Sequence, residues 1–271
     1  MAYKKGYLRM NREGRFGGKM TAIRIVLFVA LFLSMIIVIT PIVTIDRFHV
    51  KGDSMLPTYA SGDVIVVNKL AMGARIYTDY NFDSPSLHCI RMPGFGKLNV
   101  GDVAVFNAPF GRNNEKIEFK INFVYFKRCL GCPGDTIGVR DGMFYNSQYS
   151  DPIGDSVSQE CLKQLPDSLI PSYALCAYPY STELNWTIKQ LGPVIIPKKG
   201  MTITLDNINR SLYFHVIEYE TGKHPDSLQT LTYKFKQDYY YFVGDNVIDS
   251  KDSRYFGFVP ESFIVGKVFS R

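Results

Sequence analysis

Ser54 is the side chain with the clearest chemical promise. It lies in Gly52-Asp53-Ser54-Met55-Leu56-Pro57-Thr58, where glycine and proline favour a tight backbone that exposes the hydroxyl and lets the Ser54 N–H face a developing oxyanion. A serine needs a base. The histidines are His49, His88, His215 and His224, and a Ser-His-Asp assembly stays open because triads form from distant positions. An esterase of the Gly-Asp-Ser type would carry Asp three residues before a late histidine, but Leu212 and Thr221 stand there. The other base is Lys127, which follows the apolar run Phe123-Val124-Tyr125-Phe126. A free lysine, with a pKa near 10.4, is almost wholly charged at pH 7. Full burial lowers that value by roughly 3–5 units and yields a competent neutral base, and Arg128 beside it is expected to push the same way.

Two further clusters could support such a pair. Gly244-Asp245-Asn246 is followed by Ser250-Lys251-Asp252-Ser253-Arg254, in which Asp252 and Arg254 can form an internal ion pair and Ser250 can hydrogen-bond a lysine nitrogen. Gly101-Asp102-Val103-Ala104-Val105-Phe106 reads as a turn followed by a core strand. Five cysteines stand at 89, 129, 132, 161 and 176. Cys129 and Cys132 read as two small buried hydrophobes rather than a redox pair, since no thioredoxin-like βαβ pattern surrounds them. A Cys161–Cys176 bond would staple a weakly patterned segment, and free thiols are the alternative. With no paired CxxC motifs and no HExxH, neither a metal nor another cofactor is expected.

Taken in order, the stretches VKGDSMLPT (50–58), GDVAVFNAP (101–109), YFKRCLGCPGDTI (125–137) and YFVGDNVIDSKDSRYFGFVP (241–260) resemble the type I signal peptidases, membrane-anchored serine–lysine endopeptidases. The resemblance implies that Ser54 is the nucleophile and Lys127 the general base. It implies that Ser250 orients the lysine, that Asp252 and Arg254 form a structural ion pair, and that Arg128 and Asp245 support the site. Phe48 and Val50 match the strand that pairs with substrate, and with Met55, Tyr125 and Phe126 they would line pockets for small side chains. The family removes signal peptides from exported preproteins, cutting after Ala-x-Ala-like sequences, so the implied partners are preprotein signal peptides and the lipid bilayer. The chain departs from the family at Gly52, where some members carry an oxyanion-binding hydroxyl, at Val247, where arginine is usual, and in the longer 71–98 segment.

These residues need a scaffold, and beyond residue 46 the sequence offers short apolar runs between turn signals. Strands are expected at 63–68, 102–106, 121–126, 136–139, 194–196, 201–205, 231–235 and 239–243, giving a mainly antiparallel β catalytic domain. Pro133-Gly134 suits a type II turn. Ile208, Leu212, Val216 and Tyr219 recur at helical spacing, with Asp206 or Asn207 to cap the start and Gly222 to end it.

The N-terminal region differs from the rest. Residues 1–24 hold seven basic residues and one acidic residue, which accounts for the whole net charge of +6 and leaves a neutral body. That balance argues against nucleic acid as a partner. Residues 25–45 contain no ionisable side chain and are long enough to cross a bilayer. They lack the Ala-x-Ala end of a cleavable signal peptide, so a retained anchor is expected, with Pro41 shortening or kinking its outer end. The basic tail keeps the N-terminus inside a cytoplasmic membrane and places residues 46–271 on the extracytoplasmic, or periplasmic, side. The expected organisation is a tail (1–24), a transmembrane helix (25–45), a catalytic β domain in two parts (46–142 and 237–271), and an inserted second lobe (143–236). Two other readings stay open: a serine–lysine protease with a narrow extracytoplasmic substrate, and a non-catalytic anchored β module that binds partners.

Overall fold

The computed structural model describes residues 13–79, 81, 84, 87–110, 116–228 and 230–269, so the first half of the expected tail, residues 1–12, falls outside the described residues. Two units are distinct, residues 1–43 and 44–271. The first is a helix, Glu13–Thr44. It starts inside the basic region and continues through Pro41, so the proline does not end it. Its segment Thr21–Val38 has a mean hydropathy of 2.6 and is long and apolar enough to cross a membrane.

The second unit is mainly antiparallel β, as the sequence indicates. Its main sheet has seven strands in the spatial order Ile45–His49, Val64–Asn68, Ile264–Val268, Val103–Asn107, Val124–Gly131, Tyr239–Val243 and Val259–Pro260. The strand nearest the end of the chain therefore lies between two strands from its beginning. Phe106 stacks on Phe242 across this sheet with ring centroids 4.4 Å apart, and aromatic side chains form a large part of the larger core. A smaller core on the sheet joins Val50, Met55, Tyr59, Ile65, Val67, Val103, Val105 and Val268.

A three-stranded sheet sets Met143–Asn146, Thr136–Arg140 and Leu191–Ile195 side by side. The expected inserted lobe thus shares a sheet with the strand before it. The two-residue turn between the first pair uses Asp141 at φ 49° and Gly142 at φ 78°, as a type I′ hairpin requires. The Pro133-Gly134 turn also forms, with Gly134 at φ 93° and the Asp135 N–H donating to the Cys132 carbonyl at 3.0 Å.

The expected strand at 121–126 begins instead at Val124 and runs to Gly131. Its two basic residues look like an exposed end in the sequence, yet Lys127 is buried within the strand. The expected helix is split. Asp206 caps Asn207–Leu212 by accepting from the Asn209 N–H, Tyr213 leaves helical geometry, and Phe214–Thr221 ends at Gly222 in the left-handed region. The Tyr213 ring packs against Phe235 and Phe258 while its hydroxyl reaches the Ile195 carbonyl at 2.8 Å, which accounts for the break. The 71–98 segment carries a hairpin, Arg75–Tyr77 against Cys89–Arg91. Cys161 and Cys176 are exposed free thiols, so no staple joins them in the structure.

Candidate active site

Ser54 sits in a turn pinned from both sides. Gly52 has φ 82°, a conformation that L side chains rarely adopt, and this explains why no hydroxyl residue stands there. The Leu56 N–H closes the turn onto the Asp53 carbonyl at 3.1 Å, and the Tyr59 N–H donates to the Met55 carbonyl at 2.9 Å. Next to Ser54, Met55 is fully buried in the smaller core. Burying such a side chain contributes roughly 1.5–3 kcal/mol, which holds the turn against the sheet.

Lys127 comes from the strand Val124–Gly131. Side chains alternate along a strand, so it shares a face with Tyr125 and Cys129, while Phe126 and Arg128 point to the other face. Its Nζ hydrogen-bonds to Ser54 Oγ across 73 residues of sequence. The partner of the serine is thus the amine rather than an imidazole; His215 packs on Tyr178 and Phe214, and His224 on Phe214.

Lys127 is 2% exposed, and burial lowers its pKa from 10.5 to about 8. Asp252 opposes that shift and Arg254 assists it. The cation that destabilises the ammonium is therefore Arg254, not Arg128 as the sequence suggests. Arg128 is turned away and engaged elsewhere: its Nε and Nη2 grip the two oxygens of Asp245 at 2.7 and 2.6 Å, and its Nη1 donates to the Gly101 carbonyl at 2.7 Å.

The segment 244–254 clamps the Ser54 turn. The Asn246 N–H donates to the Ser54 carbonyl at 3.1 Å, and Asn246 Nδ2 donates to the Asp53 carbonyl at 3.1 Å. Thr58 Oγ1 donates to Asp245 Oδ2 at 2.6 Å, joining the turn to the Arg128–Asp245 pair. Thr58 and Asn246 were missed as positioning residues in the sequence, although both lie inside the motifs that stood out.

The clamp is itself braced. Asp252 and Arg254 are fully buried and paired, with Nε to Oδ1 at 2.9 Å and Nη2 to Oδ2 at 2.8 Å. The same Nη2 donates to the Val247 carbonyl at 2.8 Å, so position 247 serves through its backbone. Asp252 Oδ2 also accepts from the Gly244 N–H at 2.9 Å, and Ser253 Oγ accepts from the Phe242 N–H at 3.0 Å. Burial pushes the Asp252 carboxyl up, but Arg254 and the Gly244 N–H outweigh it and hold the pKa below the ordinary value. Ser250 is buried beside this network, where its hydroxyl helps Arg254 hold the Asp252 carboxyl below its ordinary pKa. The bond to Lys127 that the sequence suggests is not formed in this structure. Of Ser250, the backbone carbonyl is engaged, accepting from Arg254 at 3.5 Å.

The residues expected to line substrate pockets separate into two groups. Val50 and Met55 are buried in the smaller core, with Phe48 and Phe126 partly buried at its margin. Tyr125 belongs to an aromatic cluster with Phe106, Phe110, Phe123 and Phe256, its ring centroid 5.5 Å from Lys127 Nζ.

The chain is similar to known proteins over most of its length. The family model for signal peptidase, peptidase S26, matches residues 21–271. The signal peptidase I of Buchnera aphidicola subsp. Acyrthosiphon pisum is 31% identical over 244 residues, covering 82% of this chain and 66% of its own. That of Pseudomonas aeruginosa is 28% identical over 256 residues, covering 90% and 68%, and that of Aquifex aeolicus is 26% identical over 224 residues, covering 83% and 74%. The chain thus spans about two thirds of the length of the first two relatives. Matched across residues 21–271, it belongs to the signal peptidase family, peptidase S26.

Proposed function

We propose that the protein is a membrane-bound serine endopeptidase that removes signal peptides from exported preproteins with a Ser54–Lys127 dyad. The observation that carries this reading is the contact of a buried lysine amine with the hydroxyl of a serine on a clamped turn. In the deprotonated state the amine accepts the Ser54 proton as Oγ attacks the scissile carbonyl. The Ser54 N–H and neighbouring backbone donors stabilise the oxyanion, since Gly52 offers no hydroxyl. The acyl-enzyme forms and the mature protein leaves, its new amine protonated by Lys127. Neutral Lys127 then activates the water that releases the signal peptide.

An extended substrate has strand edges to pair with. Tyr239–Val243 meets the Lys127 strand only from Arg128 onward, and among the described residues no strand pairs with 124–127 on that side. Ile45–His49 ends the main sheet and leads through Phe48 to Val50. Such edges suit β-strand addition by a peptide, with alternate side chains entering pockets. Pockets formed beside Val50 and Met55 would take small residues at the cleavage site. The basic tail and apolar helix favour a catalytic unit outside the cytoplasm.

The test is cleavage of a preprotein in detergent or proteoliposomes by the wild type, Ser54→Ala and Lys127→Ala. Both variants are expected to lose cleavage while keeping the wild-type circular dichroism. Near-normal turnover by Lys127→Ala would exclude the dyad. An active enzyme that processes one exported protein and leaves general signal peptides intact would point to the narrow-substrate reading.

A further inference from the structure

Cys129 and Cys132 take no part in the serine–lysine chemistry, and the fold does more with them than fill space. Their sulfurs lie 3.8 Å apart. Cys129 is fully buried near the end of the Lys127 strand, whereas Cys132 is partly exposed where the 132–135 turn begins. The main chain around both is already fixed. The Cys129 N–H donates to the Asp102 carbonyl at 2.8 Å, its carbonyl accepts from the Gly101 N–H at 2.9 Å, and the Cys132 N–H donates to Asp135 Oδ2 at 2.9 Å. A gap of about 1.8 Å to a disulfide bond length is left for side-chain rotation and small local adjustment to close. The polar contacts given up are weak ones, from Cys129 Sγ to the Gly131 carbonyl at 3.4 Å and from Cys132 Sγ to the Leu98 carbonyl at 3.3 Å.

We propose that Cys129 and Cys132 form a reversible dithiol–disulfide pair, oxidised by a protein or low-molecular-weight disulfide. Cys132 is the thiol that a donor reaches. Its thiolate attacks the donor disulfide, releasing one donor thiol and leaving a mixed disulfide on Cys132 Sγ. Cys129 then gives up its proton, attacks Cys132 Sγ and expels the second donor thiol. The protein loses two hydrogens with their two electrons, and the donor is reduced to two thiols. Burial raises the Cys129 thiol pKa, which makes this second attack the slow step. Closing so short a loop restricts the unfolded chain least, so the bond is held weakly and returns readily to thiols.

The experiment uses the full chain in detergent micelles with oxidised glutathione as the donor. After quenching, free thiols are alkylated under denaturing conditions and the protein is digested with trypsin. Cleavage after Arg128 and Arg140 yields a single peptide, residues 129–140, that holds both sulfurs. The expected product is unalkylated and two hydrogens lighter, and dithiothreitol restores two alkylation sites. In Cys132→Ser, Cys129 is expected to remain fully alkylated. Wild-type peptide alkylated at both cysteines, or carrying persistent glutathione on Cys132, would overturn the assignment. Loss of alkylation at Cys129 in Cys132→Ser would overturn it as well, because the pairing would then lie elsewhere.

Discussion

Gly244 stands so close to Ser54 that a Cβ on it would lie 2.5 Å from the Ser54 carbonyl oxygen and 2.1 Å from Ser250 Oγ. Neither distance is tolerable for a real Cβ, and the backbone atom in the way belongs to Ser54 itself. The glycine is therefore what allows the 244–254 segment to clasp the Ser54 turn.

Gly244→Ala is expected to push the turn away from Lys127 without emptying the core. A misplacement of about 1 Å in reacting groups costs on the order of 100-fold in rate. Preprotein cleavage should fall by about that factor, mostly in kcat, while the circular dichroism spectrum stays native.

In the proposed dyad, the lowered pKa of Lys127, about 8, sets the pH dependence. Below it the amine is protonated and cannot accept the serine proton. The kcat/KM for a preprotein should fall tenfold per pH unit on the acid side of about pH 8 and level off above it. A limb centred near 6.5 would instead indicate a histidine base.

The same shift has a consequence for stability. The folded pKa, about 8, lies below the ordinary lysine value of 10.5, so between these values the unfolded chain binds more protons. Stability therefore rises with pH across that window and is lowest below it. Lys127→Met should abolish cleavage yet stabilise the fold at pH 7, by on the order of 2–3 kcal/mol, and should flatten the rise between pH 8 and 10.5. Urea titrations followed by the fluorescence of Trp186, the single tryptophan, measure both effects.

Asp252 and Arg254 are completely enclosed, so neither charge can turn to water when the other is removed. Asp252→Ala should cost about 3–5 kcal/mol. Arg254→Lys should not restore stability, because one ammonium cannot reproduce the paired Nε and Nη2 contacts and also reach the Val247 carbonyl. Thermal unfolding of the two variants tests both statements.

Much of this site is visible in the residues themselves. Ser54, Lys127, Arg128, Asp245, Asp252 and Arg254 announce themselves by motif, and the structure brings them together within one clamp. Turn chemistry is equally legible at Pro133-Gly134, because backbone conformation there depends on few residues. What escaped depends on long-range packing. Hydropathy marks Lys127 as the end of a strand, yet tertiary contacts bury it inside one. The helix Ser156–Gln164 lies in a polar segment and buries only Gln159 and Leu162, too little for a recognisable stripe. Arg254, rather than the adjacent Arg128, faces the lysine because neighbours along a strand point to opposite sides.

The position of the Ile264–Val268 strand bears on how the protein is made. It fills the space between Val64–Asn68 and Val103–Asn107, and the clasp on the Ser54 turn is likewise encoded after both of them, at 244–254. During synthesis, a nascent chain that has reached residue 230 already contains Ser54 and Lys127 but neither the central sheet partner nor the groups that hold Ser54 in place. The proposed hydrolytic competence thus waits until residues 244–268 have been made and have docked.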